Sequence, residues 1–142
     1  MLKIRKSYSL GKLRNNILKI TNGDKEFYEA AGQPWDMFFR IYDNIVTGTK
    51  QRTFYNVYVN NQPIAYLCIS KQTKEIFFYV SIPFRKREVL TDMFAFVRRK
   101  IGNEFYTGTK KTNTRFVEFA KKNGWCVFME DEKNVIFKGL CQ

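Results

Sequence analysis

Asn113-Thr114-Arg115-Phe116-Val117-Glu118-Phe119-Ala120-Lys121-Lys122-Asn123-Gly124-Trp125 is the stretch whose reading decides the fold. Thr112 or Asn113 can cap a helix that runs to Lys122, since a short polar side chain there satisfies a backbone N–H that the first turn leaves without a partner. Phe116 and Phe119 form its inward face. Asn123-Gly124 ends it with a left-handed C-cap, and Trp125 opens the following strand. A capped amphipathic helix ending in Lys-x-Gly-aromatic therefore leads directly into a strand over Trp125 to Met129. Asn134 to Lys138 returns antiparallel to it after an acidic turn.

Upstream of this unit the apolar spacing is helical from Pro83 onward. Val89, Met93, Val97 and Ile101 form one row, Leu90 and Phe94 a neighbouring one, and Gly102 is the stop. Glu104 to Thr107 can form a short strand. Further back the period changes to that of strands over Thr53 to Val59, Ile64 to Ser70 and Glu75 to Ser81. Asn60-Asn61-Gln62-Pro63 and Lys71-Gln72-Thr73-Lys74 read as the turns of an antiparallel meander. Before it, Pro34 to Val46 predicts a helix with Trp35, Phe38, Phe39, Tyr42 and Ile45 as a core stripe. Ser9 caps an earlier helix along Leu10, Leu13, Ile17 and Ile20, and Leu2 to Lys6 opens the chain as a strand. The order is β, α, α, β, β, β, α, β, α, β, β, which predicts a single mixed α/β domain over residues 1–142 with no repeat or linker.

Composition narrows the function classes. With 44% apolar and 17% aromatic residues in 142, the chain can bury one sizeable core. No apolar run approaches the roughly 20 residues that span a bilayer, and the basic N-terminus lacks a signal-peptide core, so a soluble, cytoplasmic protein without a membrane partner is expected. The chain has no histidine, which excludes Ser-His and Cys-His catalysis and every His-containing metal site. Cys68, Cys126 and Cys141 are an odd set without close pairing, so neither a disulfide framework nor a zinc knuckle is expected, and no metal is assigned. The net charge of +12 calls for an anionic ligand or surface. Between Arg85 and Lys122, eleven basic residues face four acidic ones. Nucleic acid is the less favoured partner, because the aromatics fall on core faces instead of interleaving with exposed charge.

The element order and two local motifs resemble the GNAT acetyltransferase superfamily across essentially the whole chain. Asn113 to Trp125 is similar to the family's second motif. Val80-Ser81-Ile82-Pro83-Phe84-Arg85-Lys86-Arg87-Glu88-Val89-Leu90 stands where the family has Val-x-Pro-x-x-Arg-Gly-x-Gly-x-Gly. The resemblance implies a central, mostly antiparallel sheet of about seven strands with about four helices packed on it. It also implies acetyl-CoA as cofactor and transfer of an acetyl group to an amine of an acceptor that the residues do not identify. Val80 and Ile82 would hold the pantetheine arm through their backbone, Arg85, Lys86 and Arg87 the phosphates, and Asn113 would position the arm.

Lys86, Glu88 and Leu90 occupy the three glycine places, where side chains oppose close approach of a diphosphate to the backbone and Glu88 adds a like charge. For proton transfer the family's pattern supplies only half: Glu75, opening the fourth strand, is the candidate base, while the usual tyrosine acid is replaced by Ala120. Tyr79 and Tyr106 are more simply core or rim aromatics. A rival expectation is a GNAT-fold protein without chemistry that serves as a binding or structural component. The second-motif segment is also similar to acetyltransferase-like proteins of tailed phages, a few of them virion components.

Overall fold

A computed structural model describes residues 2–7, 10–22, 24 and 52–139. The helix expected over 34–46 and the Ser9 cap lie outside the described residues. Within them, β1 (Leu2–Lys6), β2 (Arg52–Val59), β3 (Gln62–Ser70), β4 (Glu75–Val80), β5 (Tyr106–Lys110), β6 (Cys126–Glu130) and β7 (Asn134–Lys138) form a seven-stranded sheet in the order β1-β2-β3-β4-β5-β7-β6. All pairs are antiparallel except β4 and β5, whose intervening helix returns the chain in the same direction. Three α-helices among the described residues accompany the sheet: α1 (Leu10–Ile20), α2 (Arg87–Ile101) and α3 (Thr114–Lys122). The mixed α/β, mostly antiparallel architecture expected from the sequence is the one observed.

The helices divide between the two faces. Val89, Met93, Phe94 and Val97 of α2 and Phe116, Phe119 and Ala120 of α3 bury against Val57, Leu67, Ile76 and Phe137 on one side. Leu13 and Ile17 of α1 meet Phe54 and Cys68 on the other. Alternation along each strand makes this two-sided burial possible. Phe94 centres the first core, with ring centroids 4.7 Å from Trp125, 5.4 Å from Phe105 and 5.5 Å from Phe78. The Phe78 and Trp125 pairs are edge-on and the Phe105 pair is stacked, and such ring pairs add to simple area burial.

Local chemistry explains several boundaries. Asn60 and Asn61 both take positive φ, 50° and 65°, so the β2–β3 connection is a two-residue hairpin turn and β3 starts at Gln62. The four-residue turn expected there is corrected accordingly. Pro63 is tolerated inside β3 because the ladder is irregular there, with a register shift between Val57 and Tyr58 opposite it. At the end of α3, Trp125 N–H reaches Ala120 C=O at 3.0 Å and Gly124 N–H reaches Lys121 C=O at 3.1 Å. With Gly124 at φ 76°, this is a Schellman cap, and Trp125 packs on Phe119 at 5.5 Å. The last three strands are displaced from their expected bounds by no more than a few residues.

Cysteine pairing differs in part from expectation: Cys68 is a buried thiol, whereas Cys126 is disulfide-bonded. Gly139 is required by a close approach. A Cβ added there would lie 2.5 Å from the Phe105 ring, which is itself fully buried, whereas one at Gly108 would meet only ordinary contacts at 3.6 Å. Gly139→Ala is therefore expected to cost about 1–3 kcal/mol through overpacking. Gly108→Ala should be nearly neutral. Urea unfolding of the two variants checks the contrast.

Candidate functional site

β4 and β5 are paired only at Glu75 with Tyr106 and Ile76 with Thr107. Beyond that point the two parallel strands separate, and a cleft of about 860 Å³ opens between them, floored by Phe78, Phe116 and Phe119. The backbone direction of β4 can be read from its bonds. Ser81 N–H goes to Ile64 C=O on β3, while Lys74 C=O accepts from Tyr106 N–H on β5. Odd residues of β4 thus spend their backbone groups on β3, and Phe78 and Val80 turn theirs toward the gap. The strand presents the Phe78 backbone and the Val80 N–H to the cleft, while Val80 C=O accepts from Arg85 Nε.

Charge rims the opening. The lining includes Arg85, Lys86, Arg87, Lys110, Arg115 and Lys122 against two carboxylates, Asp24 and Glu118. The N-termini of α2 and α3 both open onto it, so backbone N–H groups and helix dipoles reinforce the side-chain charge. A second cleft of about 320 Å³, beside Pro83 and Phe84, has a single cation, Lys19, in its lining. The arrangement suits an elongated anionic ligand that carries amide groups.

The residues singled out from sequence fall into several environments. Val80, Arg85, Lys86, Arg87 and Asn113 all line the cleft. Asn113 caps α3, accepting from Phe116 N–H at 3.4 Å, while its Nδ2 donates to Thr109 Oγ1 at 3.1 Å. Arg85 is held by the protein: its Nε donates to Val80 C=O at 2.9 Å and its Nη2 meets Asp24 Oδ2 at 2.9 Å. Ile82 sits in a 3-10 turn over Ile82–Phe84, is 50% exposed and does not line the cleft; its carbonyl accepts from Arg85 N–H. Phe78 takes the inward backbone position instead. Glu75 lies at the closed end of the splay, outside the lining.

Of the three former glycine places, Lys86 and Leu90 do line the cleft, but Glu88 does not. Glu88 lies in the first turn of α2, where a carboxylate favours the helix dipole, so it serves the helix without facing the cleft. Ala120 is fully buried in the core, and no acid reaches the cleft from that position.

Asp24 was not anticipated. Its carboxylate is buried and joins Tyr79, whose hydroxyl donates to Oδ2, with Arg85, whose guanidinium also stacks 5.2 Å from the Tyr79 ring centroid. Burial raises the Tyr79 pKa well above the usual tyrosine range. The hydrogen bond and negative charge of Asp24 raise it further, and Arg85 acts in the opposite direction. Tyr79 therefore keeps its proton at neutral pH. No local signal could have found Asp24, because its partner Arg85 is 61 positions away in the chain.

Similar architectures are known. No family model and no curated protein sequence matches the chain. The structure is similar to the N-acetyltransferase PseH of Campylobacter jejuni in complex with acetyl coenzyme A, with TM-score 0.66, 10% identity and 97% of each chain covered. The PaiA N-acetyltransferase of Thermoplasma acidophilum in complex with coenzyme A gives TM-score 0.65 and 15% identity, with 99% of each chain covered. The protein PH1933 of Pyrococcus horikoshii gives 0.71 and 16%, covering 100% of this chain and 99% of its own. The chain thus has the fold of the GNAT N-acetyltransferases, as its motifs led us to expect.

Proposed function

We propose that the protein is an acetyl-CoA-dependent N-acetyltransferase whose cofactor occupies the β4–β5 cleft. The observation that carries this reading is the splayed parallel pair, which leaves the backbone of Phe78 and Val80 facing an 860 Å³ cleft rimmed by cations. These groups fit a pantetheine arm as a substitute strand and a diphosphate at the start of α2. Bound there, the cofactor would supply an activated acyl thioester.

The chain's own part is positioning and charge. Phe78 and Val80 would fix the arm by backbone hydrogen bonds. Lys86, Arg87 and the first turn of α2 would neutralise phosphate, and Asn113 would brace the β5 side of the cleft while capping α3. The Asp24–Tyr79–Arg85 network holds the top of β4 to the α2 entry loop, so the cleft wall is set before ligand arrives. Glu75 is the candidate base, acting through water because it stands outside the lining. The acceptor is an amine.

A second reading, a GNAT-fold binding or structural component without chemistry, is favoured by two observations: Lys86 and Leu90 occupy glycine places in the cleft, and Ala120 contributes nothing to it. One experiment separates the two. Thermal unfolding is followed with acetyl-CoA at about a hundred times its dissociation constant, where a specific ligand stabilises by about 2.7 kcal/mol. The proposal expects an upward shift that shrinks in Lys86→Ala/Arg87→Ala, and thiol release with amine acceptors that falls in Glu75→Gln while the shift persists. No shift at millimolar cofactor sinks the enzyme reading. A shift without thiol release from any amine supports the binding reading.

A further inference from the structure

Between residues 52 and 139 the chain has four glycines, and the fold requires three of them. Gly102 and Gly124 take positive φ, 88° and 76°, and Gly139 has no room for a Cβ against Phe105. Gly108 is different. It lies inside β5 without positive φ, and a Cβ there would meet only ordinary contacts at 3.6 Å, with Ile136 and the Val135 carbonyl. Glycine weakens a strand interior, and where the backbone does not need it, it marks a place that a ligand approaches closely. Gly108 also lines the cleft.

Its position matters as much as its lack of a side chain. The last paired rung between β4 and β5 is Ile76 with Thr107, so Phe77 and Gly108 are the first residues beyond it, one on each strand where the two begin to part. Phe77 is paired with Cys68, which packs under α1, and Gly108 with Ile136, whose neighbours Val135 and Phe137 belong to the other core. Both positions therefore belong to the face of the sheet opposite α2 and α3. On that face Phe77 is 48% and Ile136 37% exposed, and Phe128, 53% exposed, leans its ring against Tyr106 at 4.8 Å. Lys138 at the edge is engaged by Glu104 at 3.7 Å. The absent side chain at 108 leaves a hollow between Phe77 and Ile136, apolar on both sides and continuous with the cleft through Gly108 itself.

What lies there follows from the direction of the cofactor, and so rests on the acetyl-CoA reading of the cleft. With diphosphate at the start of α2 and the arm running along Val80 and then Phe78, the thioester end arrives at the rung of Phe77 and Gly108. Glu75, the candidate base, shares the face of Phe77 and stands two residues away, roughly 7 Å along the strand. An amine that reaches the thioester from this face passes over Gly108. Charge then narrows its class. The cleft lining has six cations against two carboxylates, so each additional positive charge on an acceptor is repelled, while an apolar group gains by covering Phe77 and Ile136.

We infer that the acceptor is a monoamine on an aromatic or otherwise apolar body, seated in the hollow between Phe77 and Ile136, and that Gly108 is the residue that admits it. In the transfer, the amine nitrogen bonds to the acyl carbon as the carbon–sulfur bond breaks. The nitrogen's proton passes through water to Glu75, and the departing thiolate takes a proton from solvent. A polyamine meets the cationic rim, and a small hydroxylated amine leaves the hollow unfilled.

Thiol release from acetyl-CoA with 2-phenylethylamine, ethanolamine and spermidine tests this. The expected kcat/KM for 2-phenylethylamine exceeds that for ethanolamine on the order of fiftyfold, the effect of burying one phenyl ring, and spermidine is the poorest of the three. Gly108→Val, which fills the hollow, should reduce that preference about tenfold, and Phe77→Ser about fivefold. Melting curves with and without acetyl-CoA will show that each variant folds and keeps its cofactor site. Calorimetric titration of 2-phenylethylamine into protein saturated with coenzyme A should show binding that both substitutions weaken. Equal transfer to ethanolamine or spermidine overturns the inference and leaves the enzyme reading standing. So does a preference indifferent to both substitutions, or a second copy seated on this face, seen in sedimentation velocity as a dimer that Phe77→Ser dissociates. Stabilisation by acetyl-CoA without thiol release from any of the three amines overturns it too. A protein that acetyl-CoA does not stabilise, and that releases no thiol, overturns the enzyme reading and this inference with it.

Discussion

Phe94→Ala is expected to destabilise the protein by about 3–5 kcal/mol, the range for removing a fully buried phenylalanine. The melting temperature should fall by roughly 10 °C for a chain of this size. Phe94 is 1% exposed and touches Phe78, Phe105, Phe116, Phe119 and Trp125, rings contributed by β4, α3 and the segments on either side of β5 and α3. The cavity left behind cannot collapse without moving several of them. Since Phe78, Phe116 and Phe119 also floor the cleft, the variant should lose ligand-dependent stabilisation along with intrinsic stability. Phe94→Leu, which retains most of the volume, should recover much of both. Differential scanning calorimetry with and without acetyl-CoA measures the two effects together.

The second large effect is loss of stability in alkali. Burial, with a smaller contribution from Cys68, pushes the Tyr66 hydroxyl up to about 12, and Tyr79 is raised as well by burial and by Asp24. Both tyrosines keep their protons in the folded chain at a pH where unfolded tyrosine, titrating near ~10, gives its proton up. The unfolded state then binds fewer protons than the folded one, so stability falls as pH rises. The contribution is fully present below pH ~10 and is lost as pH approaches the folded-state values, at about 1.4 kcal/mol per pH unit for Tyr66, and over a narrower pH span for the partly exposed Tyr79, which solvent screens. Tyr66→Phe and Tyr79→Phe should each reduce the slope of unfolding free energy against pH by about one proton. Urea titrations between pH 9 and 11.5 read this directly, and a slope unchanged in both variants would refute it.

Among the described residues the sequence by itself determined the elements and their order, because each is specified by local chemistry. The α3 helix shows this most fully. Asn113 caps its start, Phe116 and Phe119 form its buried face, and Gly124 permits the left-handed cap that turns Trp125 into the core, all within thirteen residues. The β3–β4 turn and the Gly102 stop follow the same logic, and the cationic entry to α2, singled out from charge and helix polarity, lines the cleft. Boundaries such as the start of β3 were shifted because a two-residue Asn-Asn turn is determined by φ values that the residue types permit without requiring.

Only the tertiary structure decided which of those residues face the same space. The cleft exists because β4 and β5 part after two paired positions, a property of strand direction and sheet twist that no single segment encodes. The same geometry turned Glu88 away from the cleft, kept Leu90 in it, and brought Asp24 onto Arg85. The resemblance placed Ile82 beside Val80 on the pantetheine arm, but the 3-10 turn after β4 carries Ile82 out of line. Local sequence fixes what a segment becomes; long-range packing fixes what its side chains meet, because those contacts depend on residues far apart in the chain.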